Sequence, residues 1–398
     1  MKIAHIVRRF TFSEWGGTES VVWHIAKQQK EQGLTPEILC TAALDKVGTE
    51  VVDGIMIRRF PYIYPYFPMP EKDKTALDKK GGNPLAPKLM KALKDGSYDI
   101  FHIHAGGRIA NYAIREGKRL SVPCVMSLHG GACAIPEQEM HLMLQPLKHK
   151  FSYGGIIDRL YQLRKAPESQ ADMLLALSRE EVEKLTQCYP GKPVRLFPNG
   201  ILHRELPDAA GFRKKYGIPQ DQKVILCISR IDYQKNQKLL LDLLKKTVDT
   251  HLLLIGPVTS EWYRQEIEKY ALELQLKDRM TLIPGLSHDS TELLQALKTA
   301  SCFILPSRHE PFGIAALEAL DARVPVIASS VGGLRDFLSD GKNALLFKDN
   351  SADSLLEAYG KLELLRTTLI GGGMETAAEY HWRSIAEKLT SIYRELKA

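Results

Sequence analysis

Short runs of apolar residues recur along the chain, and several are continuous instead of alternating between apolar and polar positions. A continuous run of this length is typical of a parallel strand that is covered on both faces. A helix-like segment follows most runs, and this alternation predicts α/β architecture. In the first half, the predicted strands span residues 2–7, 35–41, 54–60, 99–105, 122–130, 172–178 and 194–200.

The same pattern starts again in the second half, after the polar stretch 202–222 with its two prolines and two glycines. Two series of this kind predict two doubly wound parallel sheets. We expect one domain over 1–201, a second over 202–375, and a C-terminal helix at 376–398 that can cross back to the first domain. The predicted strands of the second domain span residues 223–229, 251–256, 280–285, 302–307 and 324–330.

The overall charge narrows the class of partner. The chain has 54 basic and 47 acidic residues and a formal net charge of +7. Nucleic-acid-binding proteins usually concentrate positive charge more sharply, so we expect no nucleic-acid partner. An anionic substrate or an anionic membrane surface suits this mild excess better.

Cysteine usage and the N-terminus favour a cytoplasmic protein. The six cysteines include no C-x-x-C pair, which predicts reduced, buried thiols. The first ten residues hold too few apolar positions for a signal sequence, and no run approaches the roughly 18 apolar residues of a membrane span.

In doubly wound sheets, ligands bind beyond the carboxyl ends of the strands, so the loops there are the candidate sites. Gly16 and Gly17 follow the first strand and precede a helix, where backbone N–H groups can approach a phosphate. Arg230 and Lys235 follow the first strand of the second domain, and two cations there suit a diphosphate. A simple strand-to-helix turn and a solvated pair of charges are the respective alternatives.

The stretch "SRHEPFGIAALEAL" (307–320) places two acids around a turn. Pro311 suits the first position of a helix, which leaves Glu310 in the loop and Glu318 about two turns along the helix. Carboxylates accept hydrogen bonds from vicinal hydroxyls, so each acid could hold a diol. Taken alone, Glu318 could equally be an ordinary acid on a helix surface. The helix N-terminus would consist of the amides of Phe312, Gly313 and Ile314.

These residues resemble a known family. "EPFGIAALEAL" resembles the E-x7-E signature of retaining GT-B glycosyltransferases of family 4, and "SRIDYQKNQ" and "VGGLRDFL" are similar to two further motifs of that family. "WGGTE", "FHIHAGG", "SLHGG" and "LFPNGI" follow the family's order in the first half. The resemblance covers nearly the whole chain. It implies a GT-B fold, with two facing Rossmann-like domains and a cleft between them.

The resemblance also implies a role for each candidate residue. Arg230 and Lys235 would neutralise the leaving diphosphate, and Glu310 would hold the donor sugar together with nearby backbone amides. Glu318 would bind the ribose, and His129 would reach the donor sugar from the first domain. The further implied positions are Gly16, Gly17, Phe312, Gly313 and Ile314 for the donor, and, as weaker candidates for the cleft, His104 and Asn199.

The chain departs from the family's pattern at three places. Leu202 stands where an acid is common, and Arg335-Asp336 stands where Pro-Glu is common. These two departures leave the identity of the sugar open. Ser229 replaces the usual Gly before the Arg, which is a mild change.

The function implied is retaining transfer of a hexose-type sugar from a UDP- or GDP-sugar to a glycan or lipid-linked acceptor, in bacterial cell-surface polysaccharide or glycolipid synthesis. No Asp-x-Asp-like pair follows a strand, so we expect metal-independent transfer and no cofactor. A sugar-nucleotide epimerase on the same scaffold and a non-catalytic nucleotide-sugar-binding subunit remain alternatives.

Residues 147–165 form a basic and apolar stretch with five basic residues and a single acid, Asp158. Such a stretch can lie on an anionic bilayer, which would place the protein on the inner face of the plasma membrane. A partly buried helix is the alternative, and Gly154 and Gly155 interrupt helical continuity.

Overall fold

A computed structural model describes residues 1–13, 16–129, 144–163, 166–287, 290–348 and 351–397. The chain divides into two compact units, Met1–Pro198 with Trp382–Ala398, and Asn199–His381. These divisions lie near the boundaries expected at 201 and 375. In the described part of the chain, no helix combines the length and the apolar character that crossing a bilayer would require.

The first unit is built around an eight-stranded sheet. The described strands of the whole unit are β1 (Lys2–Arg9), β2 (Thr35–Thr41), β3 (Gly48–Val52), β4 (Ile55–Phe60), β5 (Tyr66–Phe67), β6 (Ile100–Ile103), β7 (Cys124–Ser127), β8 (Phe151–Ser152), β9 (Met173–Ala176) and β10 (Val194–Leu196). The sheet order is β10-β9-β7-β6-β1-β2-β4-β3, and β5 pairs separately with β8. Every pairing in the sheet is parallel except that of β3 with β4.

Helices pack around this sheet. They are α1 (Gly17–Glu31), α2 (Glu71–Lys79), α3 (Pro87–Asp95), α4 (Gly107–Leu120), α5 (Gly154–Leu160) and α6 (Arg179–Cys188). All residues of β6, β7 and β9 are buried, as the continuous apolar runs predict for strands covered on both faces.

The second unit contains a six-stranded parallel sheet. Its strands are β11 (Lys223–Ile228), β12 (Thr250–Ile255), β13 (Met280–Ile283), β14 (Cys302–Leu305), β15 (Val326–Ser329) and β16 (Leu345–Phe347). Its helices are α7 (Ala210–Lys215), α8 (Leu239–Lys246), α9 (Glu261–Glu273), α10 (Thr291–Thr299), α11 (Ile314–Asp321), α12 (Ala352–Gly360) and α13 (Leu362–Glu379). The order β13-β12-β11-β14-β15-β16 is the Rossmann order, which reverses between β11 and β14.

The last helix, α14 (Trp382–Lys397), belongs to the first unit, where it packs against α1. Trp382, Ile385, Leu389 and Tyr393 are buried at helical spacing and form its apolar face. Burial of side chains of this size contributes about 1.5–3 kcal/mol each, so this face holds the C-terminal segment in place.

The structure corrects several local expectations. The polar stretch 72–88 was not predicted to be helical, but α2 occupies much of it, because Glu71 and Asp73 in its first turn and Lys79 in its last complement the helix dipole. Strands β3 and β16 and the two-residue strands β5 and β8 were not predicted.

The cysteine prediction holds for four of the thiols. Cys40, Cys124, Cys227 and Cys302 are free and buried as predicted, whereas Cys188 is exposed. Cys133 lies outside the described residues.

Candidate active site

The site in the second unit forms where the strand order of its sheet reverses. β11 and β14 are neighbours at this point. The chain continues from β11 to β12 on one side of the sheet order and from β14 to β15 on the other. Arg230 follows β11 and Glu310 follows β14, so adjacent strands deliver the two predicted loops to one edge of the sheet.

Lys235 and Glu310, which the sequence suggested separately, are bonded to each other. Lys235 Nζ donates to Glu310 Oε2 at 2.7 Å, and each side chain is only 11% exposed. Ser307 Oγ donates to the same carboxylate oxygen at 3.2 Å. Among the described residues, Glu310 Oε1 has no hydrogen-bond partner, and an ammonium group has three donors. Both side chains therefore retain capacity to bind a ligand.

Local hydrogen bonds hold Lys235 in place. A short 3-10 turn spans Tyr233–Lys235, and Asp232 caps it by accepting a hydrogen bond from the Gln234 amide at 2.8 Å. The buried Gln237 donates from Nε2 to Ser229 Oγ at 2.9 Å and to the Arg230 carbonyl at 2.7 Å. The ends of the loop are thereby joined.

Arg308 joins the two loops. Its backbone N–H donates to the Gln234 carbonyl at 2.7 Å, and its Nη2 donates to Asn236 Oδ1 at 3.0 Å. Arg230 instead has an exposed side chain, and no carboxylate in the described ranges forms an ion pair with it. Arg230 is therefore the cation of this loop that an incoming anion can reach without breaking an ion pair.

The turn after Glu310 differs from the prediction. Pro311 does not begin the helix: α11 begins at Ile314, because Gly313 adopts a left-handed conformation (φ +99°) that a helix cannot include. Glu310 lies in the loop as expected, and Glu318 is half-buried within α11. Phe312 is buried, with its ring 5.7 Å from that of Phe337.

The backbone around this turn supplies donors. Within the described ranges, no acceptor receives the N–H groups of Phe312, Gly313 or Ile314. Free amides at the start of a helix, together with the helix dipole, favour an anion. The three predicted amide positions are therefore available, although only Ile314 belongs to the helix.

Two glycines bring a neighbouring loop against Glu310. The N–H of Gly333 donates to the Glu310 carbonyl at 3.0 Å. A Cβ atom on Gly332, whose φ is +49°, would lie 2.2 Å from the same carbonyl oxygen. These glycines belong to the segment "VGGLRDFL", which the resemblance singled out. The structure supplies a reason for them, because their backbone passes close to that of Glu310.

In the first unit, the strand order reverses between β1 and β6. Gly16 is the N-cap of α1 and Gly17 is its first residue; a Cβ atom on Gly17 would meet no heavy atom within 4 Å. Arg9, at the end of β1, donates from Nε to Glu19 Oε1 at 2.9 Å, and this pair is largely buried. The sequence reasoning did not identify this ion pair beside the glycine turn.

Histidines line the reversal point of the first unit. His129 follows β7 with φ +50° and lies with Nε2 3.0 Å from Nδ1 of His104. His104 Nε2 lies 3.1 Å from Nδ1 of His5 on β1. Burial lowers the pKa of His5 and of His129 to about 4, and burial followed by the neighbouring histidines lowers the pKa of His104. The structure therefore brings together the predicted His104 and His129 and adds His5, which sequence reasoning missed.

Asn199 is the first residue of the second unit and is half-buried.

The absence of a metal stays a prediction. Two groups in the described part of the chain offer ligand atoms close enough together to hold one. They are His5 with His102 and His104, and His203 with Asp321 and His381.

Residues 147–163 expose apolar side chains. Phe151 on β8 pairs in register with Phe67 on β5, and these two are 69% and 70% exposed. Ile156 and Leu160, one helical turn apart on α5, are 64% and 73% exposed. We call these four residues the apolar patch.

The charges of the stretch 147–165 are only partly described. Asp158, its one acid, is bonded to Arg108 at 2.6 Å, which neutralises it, and Arg164 and Lys165 lie outside the described residues.

Comparison with known proteins agrees with this architecture. A family model described as "Glycosyl transferases group 1" matches residues 208–369, and one described as "Glycosyltransferase Family 4" matches residues 15–203. Among curated relatives, D-inositol 3-phosphate glycosyltransferase 1 of Catenulispora acidiphila is 26% identical over 403 residues, covering 95% of this chain and 90% of the relative.

Solved structures share the fold across the whole chain. The Anabaena protein HepE in complex with UDP and glucose aligns with a TM-score of 0.67 at 18% identity, covering 99% of this chain and 100% of that chain. WaaG, a glycosyltransferase involved in lipopolysaccharide biosynthesis, aligns with a TM-score of 0.60 at 16% identity, covering 98% and 99%. With two Rossmann-like units and a match to a family model in each, the chain belongs to glycosyltransferase family 4 and has the GT-B fold.

Proposed function

We propose that the protein is a retaining hexosyltransferase that uses a nucleoside-diphosphate sugar, with UDP or GDP as the nucleotide. The observation that carries this proposal is the arrangement at the β11–β14 reversal. The exposed Arg230, the Lys235–Glu310 pair and the free amides of residues 312–314 lie on loops at one edge of the sheet. The UDP bound in the similar HepE structure supports the same class of donor.

The charges at this site suit the departure of a diphosphate. As the anomeric C–O bond breaks, its electron pair stays with the phosphate oxygen and positive charge develops on the sugar. Arg230 and the two remaining N–H donors of Lys235 would bind the phosphate oxygens. Fixed donors of this kind contribute several kcal/mol of transition-state stabilisation. Because protein cations meet the charge, we propose transfer without a metal ion.

The sugar and the ribose would be held by carboxylates. Glu310 Oε1, which has no partner within the described ranges, would accept a hydrogen bond from a sugar hydroxyl, and Glu318 would bind the ribose. In the first unit, His129 and the Gly17 turn would contact the substrate. For a retaining reaction, the acceptor hydroxyl attacks the face from which the phosphate leaves and passes its proton to the departing oxygen, so no protein nucleophile is needed.

We further propose a glycan or lipid-linked acceptor of cell-surface polysaccharide or glycolipid synthesis, reached by docking on an anionic membrane. The apolar patch supports this location, because its four large side chains are exposed and the stretch 147–163 also exposes the basic residues Lys148 and Arg159. The lipopolysaccharide role of the similar WaaG supports the same class of acceptor.

Nucleotide release from a panel of UDP- and GDP-sugars tests the reaction. Release that requires a glycan or glycolipid acceptor, persists in EDTA and forms a product with the donor's anomeric configuration would support a retaining, metal-independent transferase. Conversion of the donor sugar without an acceptor would indicate an epimerase. Donor binding with neither reaction would indicate a binding subunit.

A further inference from the structure

A continuous series of hydrogen-bonding groups leads from helix α1 to His129. Gln29 Oε1 lies 2.8 Å from His5 Nε2. His5 Nδ1 lies 3.1 Å from His104 Nε2, and His104 Nδ1 lies 3.0 Å from His129 Nε2. Gln29 and His5 are fully buried, His104 nearly so, and His129 is half-buried. The series therefore begins in the core and ends at the one histidine with a partly accessible side chain.

The position of the proton on each ring in this series fixes the position of the proton on the next ring. His5 and His104 are buried, and within the described ranges none of the three rings is bonded to a carboxylate, so each ring is neutral and carries one proton. An amide oxygen can only accept, so His5 donates from Nε2 and leaves Nδ1 as an acceptor. His104 must then donate from Nε2, and so must His129.

The orientation of the Gln29 amide decides the direction of this series. Its Nε2 lies 3.5 Å from the hydroxyl oxygen of Tyr393 on α14. Burial raises the pKa of Tyr393, so the hydroxyl keeps its proton, and its oxygen lies 2.6 Å from His102 Nδ1. We infer that Tyr393 donates this proton to His102 Nδ1 and that His102 Nε2 donates to Ser127 Oγ, which lies 2.7 Å away. The Tyr393 oxygen is then left as an acceptor, which favours the amino end of Gln29.

We propose that Gln29, His5 and His104 are positioning residues that fix His129 as the Nε2–H tautomer with an unprotonated Nδ1. His129 then accepts a hydrogen bond from a substrate hydroxyl through Nδ1 and cannot donate one there. The tautomer does not depend on the proposed function, whereas its effect on turnover rests on the substrate contact proposed above for His129.

The test is ¹⁵N NMR of the histidine rings in the full-length protein, because protonated and unprotonated ring nitrogens have well-separated shifts. His129→Gln identifies the signals of His129. The expected wild-type result is one neutral species with the proton on Nε2. Gln29→Leu should convert this to a mixture of tautomers and lower kcat/KM by about tenfold or more, since the ring would no longer be held in one form.

Gln32→Leu is the matched control. Gln32 lies next to α1, just past its last residue, and also bonds to α14, accepting from Thr390 at 2.8 Å, but it forms no hydrogen bond with a histidine of the described ranges. It should leave the His129 signals unchanged and kcat/KM within about twofold. Tyr393→Phe provides a second route if Gln29→Leu does not fold, and should also produce mixed tautomers.

Wild-type His129 protonated on Nδ1 would overturn the proposal, as would a His129 spectrum that responds equally to Gln29→Leu and Gln32→Leu. Because the spectrum needs no turnover, these results are separate from failure of the proposed transferase activity.

Discussion

Lys235 and Glu310 are 75 positions apart in sequence, yet Nζ and Oε2 lie 2.7 Å apart at the reversal of the second sheet, with each side chain 11% exposed. Two charges so far removed from water depend on each other. The pair therefore contributes to local stability as well as to the site, and this double role shapes what substitutions will do.

Lys235→Met should destabilise the protein by about 2–4 kcal/mol, because within the described ranges it leaves the Glu310 carboxylate with only Ser307 as a partner. The double variant Lys235→Met/Glu310→Gln should recover part of this loss, since the unpaired charge is gone. Urea unfolding measures both. Lys238→Met, which breaks the more exposed pair with Glu266, should cost less than about 1 kcal/mol. A double variant no more stable than Lys235→Met would contradict this view of the pair.

Gly332→Ala should lower both stability and turnover, because its Cβ atom would lie 2.2 Å from the Glu310 carbonyl oxygen and would push that residue away. Gly341→Ala is the control: it also has a positive φ (+71°), but its Cβ atom would meet nothing within 4 Å. It should cost only the strain of the backbone, about 1 kcal/mol, and leave turnover intact. Equal effects in thermal unfolding and donor turnover would show that backbone strain alone matters.

Stability should fall as the pH drops below about 6.5. Burial lowers the pKa of His5 and His129 to about 4 in the folded protein, so between these values the unfolded chain binds protons that the folded chain does not. Each such histidine lowers the free energy of unfolding by up to about 1.4 kcal/mol for each unit by which the pH falls. Urea unfolding at about pH 7 and pH 5 measures the slope, and His5→Gln should reduce it. A stability that is constant over this range would contradict the neutral, buried state of these rings.

Replacement of the apolar patch should weaken binding to anionic vesicles. Ile156→Ser with Leu160→Ser removes two exposed side chains from α5 and should reduce flotation with phosphatidylglycerol-containing liposomes several-fold. Val248→Ser, an 81% exposed position in the second unit, is the control. If wild-type protein does not float, or if both variants float equally well, the patch is not a membrane contact.

The two parallel sheets and the loops that carry the site could be predicted from the sequence. Continuous apolar runs identify covered strands, and chemistry follows the carboxyl ends of such strands, which placed Arg230, Lys235 and Glu310 in loops. Edge strand β3 escaped prediction because its sequence, "GTEVV", is largely polar and exposed.

The contacts within the site could not be predicted, because they depend on which strands become neighbours. Nothing in "SRIDYQKNQ" indicates that Lys235 will meet Glu310 instead of remaining free for a ligand. Likewise, Tyr393 meets His102 across 291 positions, through the packing of α14 on α1. The misplaced start of α11 had a different cause: Pro311 fits a helix start, but the left-handed Gly313 two residues later sets the boundary.

We propose that the loop after β11 binds a diphosphate, and calorimetric titration with UDP and GDP measures this binding. We predict that one of the two nucleotides binds with 1:1 stoichiometry. Arg230→Ala should weaken this binding by about tenfold or more, because a charge-assisted contact is lost from an exposed residue whose removal spares the fold, whereas Lys238→Ala should not. Failure of both nucleotides to bind, or equal affinity in wild type and Arg230→Ala, would show that this loop is not a diphosphate site.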